Sequence, residues 1–352
     1  MNEQQKQTTQ VWKTLEEEQK TPSEQELVEL SGLMDEDLER LKRAWSELST
    51  EERRKLVERL SHMAEADIQM DFGALFRLGM VDPDAEVRAT SIEALWEDED
   101  VRLVPELIQA LTQDEEEVVR VAAAQSLAHF VLLGELQKIR PRPFEASCEA
   151  LITVYRNLEA SLEERRRALE SLAYAGRKEI PPAIEEAYEH PEERMRISAV
   201  FAMGRSADPR WKETAVRELR NPNPEMRFEA ARACGELEAR EAVPDLIDLA
   251  EDVDIEVQEM ALWALGQIGG QVARRTLESY TESENEALRV AAETALQELE
   301  FFHGDLDHFF GPPQSFDGET ELLWSETEEY DDEDRYDYDD TDDDFDDEDA
   351  AW

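Results

Sequence analysis

Asn221–Ala250 reads NPNPEMRFEAARACGELEAREAVPDLIDLA, and its punctuation sets the fold. Asn and Pro mark a turn, an apolar stripe follows, and a short loop leads to a second stripe opening on Pro244. Proline suits the first turn of a helix, where its missing N–H costs no hydrogen bond. The unit is therefore a helical hairpin. It recurs when Arg88, Arg120, Arg165, Arg196, Arg227, Gln258 and Arg289 are aligned, at spacings of 32, 45, 31, 31, 31 and 31. Three residues beyond each stands Ser91, Ala123, Ala168, Ala199, Ala230, Ala261 or Ala292, and seven beyond stands Leu95, Leu127, Leu172, Met203, Cys234, Leu265 or Leu296. Small or apolar residues at +3, +6 and +7 form one stripe on a helix. Pro105, Pro182 and Pro244 each follow their reference residue by 17 positions. A period near 31 with two helices per unit predicts stacked hairpins.

DPDAEVRATSIEAL at 82–95, DEEEVVRVAAAQSL at 114–127 and NPEMRFEAARAC at 223–234 resemble the HEAT-repeat family in its short bacterial form, similar to phycobilin-lyase-type repeats. The resemblance covers roughly residues 81–300 and includes uncharacterised bacterial proteins with segments like FAMGRSADPRW and WALGQIGG. It implies an all-α solenoid and a binding surface on the concave face, which second helices line. The expected organisation is a disordered N-terminus at 1–20, a helical cap at 21–80, the solenoid at 81–300, and a linker with a disordered acidic tail at 301–352.

Within the cap, Thr21-Pro22-Ser23-Glu24 and Ser49-Thr50-Glu51-Glu52 read as helix-opening capping boxes, and a further helix is expected over Ile68–Leu78. The long spacing between Arg120 and Arg165 places extra residues around Gly134–Phe144, expected as a loop carrying Arg140 and Arg142.

The chain has 37 Lys and Arg against 88 Asp and Glu, a net charge of −51. Residues 326–352 hold 17 acids and one arginine, leaving −35 on the other 325 residues. Such a surface repels nucleic acid and anionic membranes at long range and favours a basic protein partner. The tail's Tyr336, Phe345 and Trp352 add aromatic contacts to that expectation. There is no apolar run of 18 residues, no leader pattern in MNEQQKQTTQ, and the two cysteines, Cys148 and Cys234, are far apart. These observations give a cytoplasmic expectation.

No phosphate loop, HExxH or CxxC motif is present, and none of the five histidines is followed by glutamate. A di-iron hydroxylase built on HEAT repeats holds its metals with paired His-Glu motifs, so the resemblance does not carry that site over. His303 and His308 with the two intervening aspartates are a weak metal candidate. The expectation is a non-catalytic scaffold without cofactor. The alternative is a lyase or small-ligand enzyme of the phycobilin-lyase type. The aligned arginines fit a structural role, bonding turn acids such as Asp82, Asp114 and Asp252 in the same or adjacent repeat. Positions +1, +5 and +9, just off the buried stripe, supply the candidate partner-binding residues Tyr174, Phe201, Arg205, Phe228, Arg232 and Trp263. Aromatic and arginine side chains are the types enriched in interface hot spots.

Overall fold

In the computed structural model, residues 3–33 and 35–303 are described, and they form helices joined by short turns with no strand among them. The N-terminal helices are α1 (Glu3–Glu16), α2 (Glu24–Leu27), α3 (Asp35–Glu47), α4 (Thr50–Ala66) and α5 (Gly73–Gly79). The array continues as α6 (Ala85–Glu93), α7 (Leu103–Gln113), α8 (Glu117–Glu135), α9 (Pro141–Arg156), α10 (Leu162–Leu172) and α11 (Ile180–Tyr188). It ends with α12 (Glu193–Arg205), α13 (Lys212–Glu218), α14 (Pro224–Glu236), α15 (Val243–Leu249), α16 (Ile255–Ile268), α17 (Gln271–Tyr280) and α18 (Glu286–His303). The expected all-α solenoid is what the chain adopts. The linker and acidic tail beyond His303 lie outside the described residues.

The even-numbered helices from α4 to α18 stack directly on one another, whereas the odd-numbered ones touch each other far less. A stack packed more closely along one row curves toward that row, so the even-numbered helices form the inner row; within Asn221–Ala250 that is the first helix, α14, and not the second, α15, which was expected on the concave face. Their stripe is the core: Ala168, Ala199, Ala230, Ala261 and Ala292 are fully buried, as are Leu172, Met203, Cys234 and Leu265.

Three glycines explain how closely these helices approach. A Cβ on Gly204 would lie 2.8 Å from the Cα of Ala233, one on Gly235 3.0 Å from the Cα of Ala264, and one on Gly266 2.8 Å from the carbonyl of Ala295. The spacing is 31 residues, so backbone meets backbone at three consecutive junctions.

The array closes at α18. Where α10, α12, α14 and α16 bury Leu169, Val200, Ala231 and Leu262, α18 presents exposed Glu293. A polar outer face is what a terminal repeat needs.

Four expectations need correction, three of them N-terminal. Residues 3–16 are helical, not disordered: Val11, Trp12 and Leu15 share one face and are buried, enough to dock an otherwise polar segment. The cap of α2 is Ser23 paired with Glu26, while Thr21 donates from its N–H (2.6 Å) and hydroxyl (2.7 Å) to the Glu52 carboxylate on α4. The helix expected over Ile68–Leu78 begins only at Gly73, because Asp67 and Asp71 hold the preceding residues in turns by accepting from the N–H groups of Gln69 and Gly73. The residues around Gly134–Phe144 are not a long loop. α8 and α9 are lengthened to 19 and 16 residues, and Phe144 packs over Gly134, where a Cβ would meet its ring at 2.2 Å. By length and composition α8 also meets the requirement for crossing a membrane; here it packs against α6, α7, α9 and α10.

Candidate functional site

Each aligned arginine occupies the fourth position of its inner helix, and four of them point back at the turn that precedes it. Arg88, Arg120, Arg196 and Arg227 each donate from Nη1 to the carbonyl six residues earlier, at 2.8–2.9 Å. In Arg88, Arg120 and Arg227 the other edge of the guanidinium reaches a carboxylate of the next repeat. Arg227 Nε and Nη2 donate to Asp252 at 2.8 and 2.7 Å, Arg88 does the same to Asp114 at 2.8 Å, and Arg120 reaches Glu164 at 2.7 Å. Planar, always charged arginine matches this two-sided demand. The carboxylates respond. Burial pushes Asp114 and Asp252 up, but the arginine bonds and backbone N–H donors overcome it and hold both below the ordinary range.

The ladder has a member that the alignment missed. Arg53 holds the same place on α4: its Nη1 donates to the Leu48 carbonyl at 2.6 Å, and its Nε lies 2.8 Å from Asp82, which also accepts from Trp45 Nε1 at 2.8 Å. The signal was an arginine three residues after a helix-opening Ser-Thr pair. Conversely, Arg165 departs from the pattern and donates to the Tyr155 carbonyl. Gln258 keeps only the bond to the Asp252 carbonyl.

Four of the six candidate binding residues meet where the turn after α10 faces α12 and α14. The Arg205 guanidinium lies 5.6 Å from the ring centroids of both Tyr174 and Phe201, and Arg232 lies 4.0 Å over Phe201. Trp263 is a neighbour by another route, its ring resting on Gly235, where a Cβ would come within 2.8 Å. Phe228 is partly buried against the core and joins no ring or cation contact with the others among the described residues.

What the sequence did not reveal is that both arginines already have carboxylate partners. Arg232 grips Glu229 and Arg205 Nη1 lies 3.0 Å from Glu236. Arg205 keeps 36% of its side chain exposed; Arg232 keeps 11%. Burial pushes the carboxyls of Glu229 and Glu236 above the ordinary range despite these cations. Glu236 Oε2 is buried against Gly204 without a hydrogen-bond partner.

Beside this cluster, Arg166 Nε donates to Ser198 Oγ (2.9 Å), which donates to Glu170 Oε1 (2.6 Å). Further along the inner row, Glu93, Glu97 and Glu259 have no ion pair among the described residues, and burial raises Glu93. Clefts of about 560 and 540 Å³ lie elsewhere, at α5–α7 and at the turns joining α7, α8, α9 and α10. Among the described residues no group of three or more His, Cys, Asp or Glu is placed to hold a metal ion, and the His303–His308 candidate falls outside them apart from the backbone of His303.

Comparison with known proteins adds three findings. A family profile for HEAT repeats matches residues 75–141 and 213–297. Deoxyhypusine hydroxylase of Drosophila pseudoobscura pseudoobscura is 30% identical over 132 residues, covering 36% of this chain and 44% of the relative, so the match spans less than half of that enzyme. Among solved structures, the human deoxyhypusine hydroxylase superposes with a TM-score of 0.33 at 17% identity (71% of this chain, 97% of that one). The phycocyanin lyase complex of CpcE and CpcF from Nostoc sp. PCC7120 gives 0.48 at 18% identity (64% and 87%). The curated relative is an enzyme, and this overturns the expectation that the chain is not one. That expectation weighed only contiguous motifs, whereas a catalytic constellation is spatial. The period, the two-helix unit and the profile agree: residues 75–141 and 213–297 are HEAT repeats, carried in an α-solenoid.

Proposed function

We propose that the inner face of α10, α12, α14 and α16 binds an extended, basic segment of a protein partner. The observation that carries this reading is the column of Tyr174, Arg205, Phe201 and Arg232 with Trp263 beside it, on an inner row whose Glu93, Glu97 and Glu259 have no ion pair among the described residues. Rings and stacked guanidinium groups give flat, rigid contact area, and the flanking acids match positive charge. The net charge of −51 attracts such a partner at long range. Binding of a fluorescent Lys/Arg-rich peptide to the full chain, followed by anisotropy, tests it. Phe201→Ala and Trp263→Ala should each weaken binding about tenfold, roughly 1.4 kcal/mol. Both variants keep the acidic tail, so unchanged affinity in both would move the interaction off the inner face.

A second reading rests on the curated relative: hydroxylation of deoxyhypusine. Mass spectrometry of a deoxyhypusine-containing peptide incubated with the chain tests this. An added oxygen supports it, and an unmodified peptide under conditions where an authentic hydroxylase reacts refutes it.

A further inference from the structure

The junctions between inner helices are not built alike. At α4/α6, α6/α8, α8/α10 and α14/α16 the ladder residue of one repeat grips a carboxylate in the next: Arg53–Asp82, Arg88–Asp114, Arg120–Glu164 and Arg227–Asp252. At α12/α14, α14/α16 and α16/α18 the glycines Gly204, Gly235 and Gly266 bring backbones together.

The α10/α12 junction has neither device. His190 stands where an acid would receive Arg165, and Arg165 turns to the Tyr155 carbonyl instead. Ala173 occupies the glycine position. From α6 onward this is the most sparsely packed step of the inner row.

Beside the buried apolar stripe, a polar chain crosses the junction. Arg166 on α10 donates from Nε to Ser198 Oγ and to the Arg194 carbonyl (3.1 Å) on α12, and Ser198 closes on Glu170. All three side chains are buried. Such a chain is directional and fixes only a few geometries, unlike interlocked apolar surfaces, which resist sliding in every direction. The HEAT profile matches on both sides, at 75–141 and 213–297, and leaves the intervening residues unmatched.

The geometry points to a hinge at α10/α12, joining two stiffer blocks and latched by the Arg166–Ser198–Glu170 chain. Tyr174 sits on one side of it and Phe201 with Arg205 on the other, so the hinge angle sets the width of the Tyr174–Arg205 contact. The inference concerns the fold alone and stands whether or not the inner face binds a basic segment.

The test is a distance measurement between nitroxide labels on the full chain without ligand. One pair, at exposed Glu106 and Glu241, spans the junction; a control pair, at exposed Glu213 and Glu278, lies wholly beyond it. The spanning pair should give a distribution at least about twofold broader than the control, as hinged blocks require. Ser198→Ala and the milder Glu170→Gln should broaden or shift it further while leaving the control pair fixed. A spanning distribution in the unmodified chain as narrow as the control would overturn the hinge, whether or not the variants fold. Equal movement of both pairs in the variants would overturn the latch.

Discussion

Arg227→Met is the sharpest test of the ladder. Methionine keeps much of the stem's apolar contact and deletes the guanidinium. Four hydrogen bonds are lost: two to Asp252 (2.8 and 2.7 Å) and two from Nη1 to the carbonyls of Asn221 (2.9 Å) and Pro222 (3.1 Å). Arg227 and Asp252 are only 12% and 9% exposed, so water replaces little of what is lost. Removing one partner of a buried pair costs about 3–5 kcal/mol, and the remaining exposure together with the retained Asp254 N–H bond to Asp252 (2.9 Å) argues for the lower end, about 3 kcal/mol. Arg196 provides the internal control. It bonds the carbonyls of His190 and Pro191 but has Asn221 where Arg227 has Asp252, so Arg196→Met should cost only about 1 kcal/mol, the loss of ordinary hydrogen bonds. Arg227→Gln should fall between them, since Gln258 shows that an amide can still reach the turn carbonyl. Urea unfolding of the full chain gives the three numbers, with a Asp252→Asn cycle to isolate the pair. Equal costs for Arg227→Met and Arg196→Met would refute the reasoning, because the inter-repeat carboxylate would then add nothing.

The other expectations concern packing and pH. Gly235→Ala should lower stability by about 1–3 kcal/mol, because its Cβ would press on the Ala264 backbone, and Ala261→Leu should do likewise at a fully buried stripe position; an unchanged melting temperature for either would mean that the helices are farther apart than described. Glu236→Gln should raise the melting temperature at neutral pH. Its carboxyl has a raised folded pKa, so it costs stability once pH exceeds that value, and the gain should vanish below the unfolded value of about 4.3; a gain that persists in acid would contradict this. Asp114 and Asp252 behave oppositely. Their lowered folded pKa values mean stability that is complete above about pH 4 and lost as pH falls through the folded values, so acid titration of Arg227→Met should show a flatter loss than the unmodified chain.

The repeat was legible in the sequence because it is local and periodic. A stripe at +3, +6 and +7, a turn before it and a proline at +17 need no knowledge of distant residues to be read. The ladder was legible in part: the spacing picked out Arg88, Arg120 and Arg227, but it missed Arg53 and included Arg165, which bonds the Tyr155 carbonyl instead. The N-terminal helix was missed because three apolar residues in a polar segment have no meaning until α2 and α3 supply the surface that Val11, Trp12 and Leu15 cover. The lengthened α8 and α9 were read as a loop because Pro141 and Pro143 look like breakers, yet prolines in a first turn are tolerated there. At the candidate site the sequence placed Phe201, Arg205 and Arg232 on one face. The Glu229–Arg232 pair is an i,i+3 contact within α14, but only the tertiary structure decided that Glu236 of α14 reaches Arg205 of α12 and that Tyr174 and Phe201 share the Arg205 guanidinium. Periodicity fixes the direction a side chain takes from its own helix. Its partners, its burial and therefore its charge state are set by the neighbouring repeat, whose approach depends on a glycine here and an alanine there.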